Sequence, residues 1–266
     1  MLSSTAPSTS LPKSFERPGE IALALHRVSK RFYYDTHRQM SVRQWFIRRV
    51  LRQPLPPPPP GFSIAEFDLT IARGEAVAVI GANGSGKSTL LRLMGGIYHP
   101  SSGRIERRGR LAAVLELGAG FHPELTGAEN IQIYAAVLGL EQRRFNQMFP
   151  AIIEFAGIDD VLDMPVKHYS TGMQARLALS VALSADSDIL VLDEALTVGD
   201  RAFREKVKAR MQAYHRRGGT LVLVSHDPDE LRAICTRAIC LRQGRLVDDG
   251  EVGPVLDAYR EASEAR

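Results

Sequence analysis

Short apolar runs and the polar residues between them set the order of the predicted elements. Residues 188–193 (DILVLD) and 220–226 (TLVLVSH) each contain four consecutive apolar residues, and strands buried on both faces of a parallel sheet have this continuous pattern. The pattern also predicts strands at 21–32, 67–71 and 75–80, a small β section at 103–117, a hairpin around Gln243-Gly244 at 238–250, helices at 88–95 and 252–264, and a mainly helical section at 124–184. We therefore predict an α/β core that a helical section interrupts.

Several segments before the strand predicted at 67–71 differ in composition from the rest of the chain. Residues 1–19 are polar and contain proline, so we predict a disordered lead. Residues 37–53 have the pattern of a basic amphipathic helix, with Val42, Trp45, Phe46 and Val50 on one stripe and Arg43, Arg48, Arg49 and Arg52 on the other side. Prolines then predict a stiff spacer at 54–61. Both segments would be part of one domain at 20–255, followed by a C-terminal helix or tail at 256–266.

Composition narrows the class of protein. The chain has 266 residues, 44% of them hydrophobic, and a net charge of +4. That length suits one large domain, and the charge is too small to indicate nucleic-acid binding by itself. Cys235 and Cys240 match no metal-binding spacing, and two free thiols fit a reducing cytosol. We find no signal peptide and no run of about 18 apolar residues, so we expect no membrane span.

A glycine-rich loop at 81–88 (GANGSGKS) lies between a predicted strand and a predicted helix. Glycines let successive backbone N–H groups face one anion, and the helix dipole adds favourable potential. Lys87 can then reach the β- and γ-phosphates of a nucleotide, and the Ser88 hydroxyl can bind Mg²⁺. The predicted phosphate-binding residues are Gly81, Ala82, Asn83, Gly84, Ser85, Gly86, Lys87, Ser88 and Thr89. The alternative, a turn that binds nothing, is disfavoured because strand, loop and helix are all in place.

Polar side chains follow the two central strands. Asp193 and Glu194 end the first strand and His226 ends the second, at the edge where such sheets bind ligands. We predict that Asp193 completes the Mg²⁺ shell and that Glu194 polarises the attacking water. His226 could contact the γ-phosphate if the two strands are neighbours. A charged turn and a structural histidine are the alternatives.

A second helix start follows at 169–177 (YSTGMQARL). Ser170 and Thr171 are both natural N-cap residues, and Gly172 allows another molecule to come close. A helix N-terminus attracts anions. The chain therefore has two candidate phosphate-binding helix starts.

In this order, GANGSGKS, YSTGM, ILVLDE and SH resemble the motifs of an ABC-transporter ATPase over about residues 21–250. YSTGM departs from the common LSGGQ form. Together with ELGAGFHPELTGAENI (116–131) and EALTVGD (194–200), it resembles the branch that exports bacterial polysaccharides such as capsule, O-antigen or teichoic acid chains. The end of the chain near residue 266 leaves little room for an added carbohydrate-binding domain, which favours the capsular type.

The resemblance implies an α/β fold: a P-loop NTPase (RecA-like) core with an antiparallel β subdomain and an inserted α-helical signature subdomain. It implies a homodimer in which each ATP, with Mg²⁺, lies between Gly81–Thr89 of one chain and Ser170–Gly172 of the other. The expected partners are a dimer of a separate membrane permease and a lipid-linked or anionic polysaccharide, with no nucleic acid. The expected location is the cytoplasmic face of the bacterial inner membrane, as a peripheral protein.

Three further residues take their roles from the resemblance. Phe32 matches the aromatic residue that stacks on adenine, with Tyr33 as the second choice and a core aromatic as the alternative. Glu116 lies where the family has a glutamine that senses Mg²⁺ and the membrane subunit; a carboxylate cannot donate as an amide does. Asp200 matches the aspartate that communicates across the dimer, and it also fits the N-cap of a helix beginning near Arg201.

Two questions stay open at this point. The helix at 37–53 resembles an insertion of polysaccharide exporters near the membrane, but it could also pack on its own domain. An ATPase for another cargo, such as a lipid or a nutrient, is an alternative function within the same fold. A soluble ABC protein that acts on DNA or ribosomes is the third possibility, although such proteins usually have two cassettes or a long coiled coil.

Overall fold

The computed structural model describes residues 20–33, 60–115, 118, 120–194 and 199–264. The predicted lead at 1–19, the basic helix at 37–53, Glu116 and most of the spacer at 54–61 lie outside the described residues. The end of that spacer is a correction, because the second strand already begins at Pro60. This strand lies at the edge of its sheet, where a first-position proline is tolerated.

Strands and helices follow one another along the described chain, with runs of two or three strands or helices at several points. The strands are β1 (Ile21–Tyr33), β2 (Pro60–Ala72), β3 (Ala76–Ile80), β4 (Ser102–Arg107), β5 (Leu111–Val114), β6 (Ile189–Asp193), β7 (Thr220–Val224), β8 (Arg237–Arg242) and β9 (Arg245–Glu251). The α-helices are α1 (Lys87–Met94), α2 (Gly127–Val137), α3 (Gln142–Ala156), α4 (Thr171–Ala182), α5 (Arg201–Arg216), α6 (Pro228–Ile234) and α7 (Val252–Glu264).

The larger sheet has the order β5-β6-β7-β3-β8-β9. Its strands run parallel from β5 to β8, and β9 pairs antiparallel with β8 as the predicted hairpin. Every residue of β3 and β7 is buried. The continuously apolar runs are therefore central strands of a parallel sheet, as predicted, and β6 and β7 are neighbours.

Successive residues of the central strands face two different cores. On one side, Ala76 and Ala78 pack in a cluster with Phe203 and Met211 of α5 and with residues of α6 and α7. On the other side, Val77 and Val79 pack with α1 and with apolar side chains of β1 and β2. The parallel sheet thus lies between a helical layer and a smaller antiparallel sheet, whose order is β2-β1-β4.

The section at 103–117 is a correction to the sequence analysis. It is not one small β unit, because β4 pairs with β1 in the antiparallel sheet whereas β5 extends the parallel sheet beside β6. Gly109, with φ 111°, lies between them, and a Cβ there would be 2.8 Å from the Asp188 side chain. The chain therefore passes from one sheet to the other at a position where only glycine fits.

The predicted helical section contains α2, α3 and α4, which share a core of their own that includes Ile131 and Ile152. A capping box begins α2, where the side chains of Thr126 and Glu129 each accept from the other residue's backbone N–H. Helix α4 joins both parts of the fold, because Leu177 is buried in the helical section and Leu179 in the α/β core. The middle of α4 is therefore anchored in both cores.

Helix α7 covers both sides of the predicted boundary between residues 255 and 256. Val255 and Leu256 are both buried against the main core, so the helix packs as part of the domain up to that point. None of the helices in the described ranges has both the length and the apolar composition that crossing a membrane requires.

Candidate nucleotide-binding site

The glycine-rich loop connects β3 to α1, as the sequence predicts. Gly81, Gly84 and Gly86 have φ angles of 145°, 76° and 113°, a region that residues with side chains rarely adopt. A Cβ on Gly81 would also collide with the carbonyl oxygen of Leu241 on the neighbouring strand. Glycine is therefore required at this turn for both conformation and space.

The start of α1 is suited to an anion. The first N–H groups of a helix have no partner within the helix. Gly86 is the N-cap, and no side chain caps α1. A Cβ added to Gly84 would meet no atom within 4 Å, so the loop is open on that side. This set of backbone donors fits the phosphate groups of a nucleotide.

Lys87 lies beneath the loop and is buried. Its Nζ donates to the carbonyl oxygens of Gly81 at 2.7 Å and Ala82 at 3.2 Å. Burial lowers the pKa of Lys87, and the charges of Asp193 and Glu194 oppose that shift. Since the net effect is to disfavour the charged form of Lys87, a polyphosphate bound in the loop would stabilise that form.

Asp193 ends β6 beside the start of α1. A hydrogen bond from Ser88 holds its carboxylate, and burial raises its pKa more than that bond lowers it. A carboxylate and a hydroxyl next to a phosphate loop are the ligand types that Mg²⁺ takes in such sites. These two residues therefore fit the metal that the sequence analysis predicts.

Glu194 and His226 lie together at the carboxyl end of the parallel sheet. The Nε2 atom of His226 is 3.0 Å from Oε1 of Glu194, and both side chains are about half exposed. Glu194 has φ 50°, and its N–H donates to the carbonyl oxygen of Val224 at 3.0 Å. The turn therefore presents the carboxylate to solvent, in contact with an imidazole that can orient it.

The second helix start begins α4. Ser170 is its N-cap, and its hydroxyl accepts a hydrogen bond from the N–H of Met173 at 3.2 Å. Ser170, Thr171 and Gly172 are exposed. A Cβ on Gly172 would meet only the Ser170 hydroxyl, at 3.9 Å. No close contact in the described part of this chain therefore requires glycine at this position.

Phe32 lies near the end of β1 and is partly exposed. Its ring packs edge-on against Tyr98, with 5.4 Å between centroids, and the Lys30 ammonium lies 5.3 Å from its centroid. Tyr33, the second choice, ends β1, and its side chain is not among those that the structure describes.

Asp200 has the N-cap role that the sequence analysis considered for it. Its Oδ1 accepts from the N–H of Phe203 at 2.8 Å, and hydrogen bonding to that N–H and the charge of Arg176 lower its pKa.

Two long-range contacts of the site were not predicted from the sequence. Arg176 on α4 donates to Asp200 at 2.7 Å, and Gly244 in the β8–β9 turn donates its N–H to the carbonyl oxygen of Ser85 at 2.8 Å. Gln243, with φ 49°, and Gly244, with φ 74°, form that turn. The Gln-Gly pair predicted the turn, but no local signal indicates that it supports the phosphate loop.

Comparisons with known proteins agree with this geometry. Residues 64–197 match the ABC transporter family. The chain is 44% identical over 199 residues to the ABC transporter protein AbcA of Aeromonas salmonicida, in a match that covers 75% of this chain and 65% of that protein. It is 42% identical over 200 residues to the O-antigen export system ATP-binding protein RfbB of Klebsiella pneumoniae, covering 75% of this chain and 81% of that one.

Solved structures of ABC transporter subunits have a similar fold. A solved ATP-binding subunit of an ABC transporter superposes with a TM-score of 0.71 at 20% identity, over 90% of this chain and 93% of that chain. The predicted fold class is therefore confirmed. With the phosphate loop, the strand-end carboxylates and the capped signature helix in place, this chain belongs to the ABC transporter family, as an ATP-binding ATPase domain.

Proposed function

We propose that this chain is the ATP-hydrolysing subunit of an exporter that moves a bacterial surface polysaccharide through a separate membrane permease. The contact between Glu194 and His226, beside Asp193 and Lys87, is the observation that supports hydrolysis rather than binding alone. The similarity to an O-antigen export ATP-binding protein over 81% of its length supports the cargo class. Capsule, O-antigen and teichoic acid chains all belong to that class, and the capsular type stays a prediction of the sequence analysis.

The described residues divide the work at one nucleotide. The backbone donors of the loop, from Gly81 to Thr89, would hold the phosphates, and Lys87 would neutralise the β- and γ-phosphate charge. Ser88 and Asp193 would hold Mg²⁺, which offsets charge on the phosphate oxygens when bound. Phe32 would stack on the adenine ring.

Glu194 would take the proton of the attacking water, and its contact with His226 would hold the carboxylate in the orientation that this step needs. Nε2 of His226 carries at most one hydrogen, so with nucleotide bound it would donate either to Glu194 or to a phosphate oxygen at the same edge of the sheet. The two side chains would thus act together on the water and on the phosphate that it attacks.

The exposed start of α4 supports a head-to-tail homodimer. Ser170, Thr171 and Gly172 are open to solvent, and among the described residues of its own chain Gly172 has no close neighbour that explains a glycine there. In a dimer, these residues would face the γ-phosphate held by the other chain, and Asp200 would lie near the shared interface. Two composite sites would then form by symmetry, and ATP would hold the dimer together.

The test of hydrolysis is Glu194→Gln. This change keeps the size of the side chain but removes the proton acceptor, so hydrolysis should fall by roughly 10²–10⁴-fold while ATP binding persists. The variant should also accumulate as a dimer with ATP in gel filtration, because the nucleotide is not consumed. Glu205→Gln, an exposed glutamate on α5, is the matched control and should hydrolyse ATP normally. A Glu194→Gln protein with the wild-type rate would contradict the assigned role.

The cargo is tested in cells. Deleting the gene should leave polysaccharide inside the cell and remove it from the surface, and the Glu194→Gln gene should fail to restore it. Chemical analysis of the retained polymer would distinguish capsule from O-antigen. Normal surface polysaccharide in the deletion strain would refute the proposed cargo without affecting the ATPase assignment.

A further inference from the structure

The end of β1, which carries Phe32, is held by the chain that follows the phosphate-loop helix. The pairing of β1 with β4 ends at Ser29 and Ser102, before Phe32 is reached. Beyond that point a side chain continues the link, because Nζ of Lys30 donates to the carbonyl oxygen of His99 at 2.8 Å. The end of β1 is therefore tied to the segment between α1 and β4.

Tyr98 is the residue of that segment whose ring contacts Phe32. The two rings pack edge-on with 5.4 Å between centroids, and the Lys30 ammonium lies 5.3 Å from the Phe32 centroid and 5.5 Å from the Tyr98 centroid. Since these three distances are almost equal, Tyr98 and Lys30 approach Phe32 from neighbouring directions. The far face of the Phe32 ring is clear of both, and the residue is partly exposed, so a base could stack there.

Tyr98 is in turn fixed to the end of α1. Its N–H and that of Ile97 both donate to the carbonyl oxygen of Arg92, at 3.0 and 2.9 Å, and the Arg92 guanidinium lies 5.7 Å from the Tyr98 centroid. Arg107 on β4 donates to two further carbonyl oxygens in the last turn of α1, at 2.7 and 2.9 Å. The position of Tyr98 therefore follows that of α1, whose first turn would hold the phosphates.

We propose that Tyr98, supported by Lys30, is a positioning residue that holds the Phe32 ring where adenine can stack on it. This inference rests on the proposed stacking of Phe32. A ring that is already held in place loses little freedom when the base arrives, and ordering a mobile side chain costs enough to change affinity several-fold. Helix α1 would then position both ends of the nucleotide, the phosphates at its first turn and the base through Tyr98 at its last.

ADP and pyrophosphate separate the contribution of the base from that of the phosphates. Neither carries a γ-phosphate for a second chain, so calorimetry with Mg²⁺ measures binding to the single chain. We define the base advantage as the Kd for pyrophosphate divided by the Kd for ADP. A variant that damages the phosphate loop raises both Kd values, whereas one that misplaces Phe32 raises only the Kd for ADP.

Tyr98→Leu removes the ring and should reduce the base advantage about fivefold, with the Kd for pyrophosphate unchanged within about twofold. Tyr98→Phe keeps the ring and should keep the advantage. Lys30→Met removes the ammonium and should reduce the advantage about threefold. Phe32→Leu should reduce it about tenfold, and adding Tyr98→Leu to Phe32→Leu should reduce it no further, because both changes act on the same stack.

Two neighbouring residues provide matched controls. His99→Leu removes the exposed ring next to Tyr98 in the chain, while the carbonyl oxygen that accepts from Lys30 remains. Arg31→Met removes an exposed cation one position from Lys30. Both variants should bind ADP and pyrophosphate as the wild type does. Melting temperatures would show which variants are folded; if Tyr98→Leu is not, Lys30→Met carries the comparison, and an unchanged base advantage there would overturn the proposal.

The outcomes distinguish the role of Tyr98 from the stacking on which it rests. If Phe32→Leu loses the base advantage but Tyr98→Leu keeps it, the positioning role is overturned and the stacking stands. A parallel rise of both Kd values in Tyr98→Leu would also overturn the positioning role, because the ring would then support the phosphate loop. If Phe32→Leu itself keeps the advantage, the proposed stacking is refuted.

Discussion

Ser170 has a structural role and a proposed functional role, and one pair of substitutions can separate them. Its hydroxyl caps α4 by accepting from the N–H of Met173 at 3.2 Å. Loss of such a cap costs about 1 kcal/mol, which corresponds to about 2–4 °C in Tm for a protein of this size. Ser170→Ala should therefore have a lower Tm than the wild type. Aspartate caps a helix as well as serine does, so Ser170→Asp should keep the wild-type Tm.

The dimer responds differently to the same two changes. A carboxylate at position 170 would face the γ-phosphate of the partner's nucleotide. Two like charges about 4 Å apart repel by about 4 kcal/mol at an effective dielectric constant of 20, which weakens association about 10³-fold. Ser170→Asp should thus be as stable as wild type yet fail to dimerise with ATP, whereas Ser170→Ala should lose stability and dimerise more tightly than Ser170→Asp.

Analytical ultracentrifugation with ATP, in a Glu194→Gln background that slows hydrolysis, measures the association, and differential scanning fluorimetry measures Tm. Thr126→Ala is the control, because Thr126 caps α2 in the same helical section. It should lower Tm as Ser170→Ala does and leave dimerisation unchanged. If Ser170→Asp dimerises as tightly as wild type, Ser170 does not face a phosphate and the head-to-tail arrangement is wrong.

Two further predictions concern the residues under the phosphate loop. Lys87→Ala removes a charge-assisted contact and should weaken ATP binding by about 1.5–3 kcal/mol, or roughly 10–150-fold, in calorimetry against Lys208→Ala as control; an unchanged Kd would contradict the role of Lys87. Burial raises the pKa of Asp193, so the folded state holds its proton more tightly and the ionised carboxylate lowers stability as pH rises through that pKa. Without nucleotide, Asp193→Asn should therefore raise Tm at pH 7, and the gain should vanish below about pH 4, near the unfolded pKa of aspartate; a lower Tm at pH 7 would refute this reasoning.

The parts of the fold that follow from local pattern could be predicted from the sequence. The runs at 188–193 and 220–226 became β6 and β7 within two residues, because a strand buried on both faces needs continuous apolar side chains. The phosphate loop could also be predicted, because its glycines are spaced as the backbone conformation of such a loop requires. The proximity of Glu194 and His226 could be inferred from the sequence, because each follows one of two neighbouring parallel strands.

What could not be predicted depends on pairing between distant residues. The strand at 67–71 proved to begin at Pro60, because β1 supplies a partner for the whole of β2. Two bonds, from Arg27 to Glu66 and from the Arg27 N–H to Asp68, hold an irregular point of that pairing, and no local pattern specifies them. The sequence likewise places Arg176 near a helix start but does not predict its contact with Asp200, since the two residues are 24 positions apart.

The two predicted phosphate-binding helix starts differ in a way that fits the different partners proposed for them. No side chain caps α1, whereas Ser170 caps α4. The loop before α1 is held on both flanks by the parallel sheet and by the Gly244 contact to Ser85, so its free N–H groups stay in position without a cap. The start of α4 is exposed and would meet phosphate only when a second chain arrives. A helix that must keep its shape while it waits for a partner needs a cap from its own residues, and a serine hydroxyl provides one while remaining able to donate its proton to an incoming phosphate oxygen.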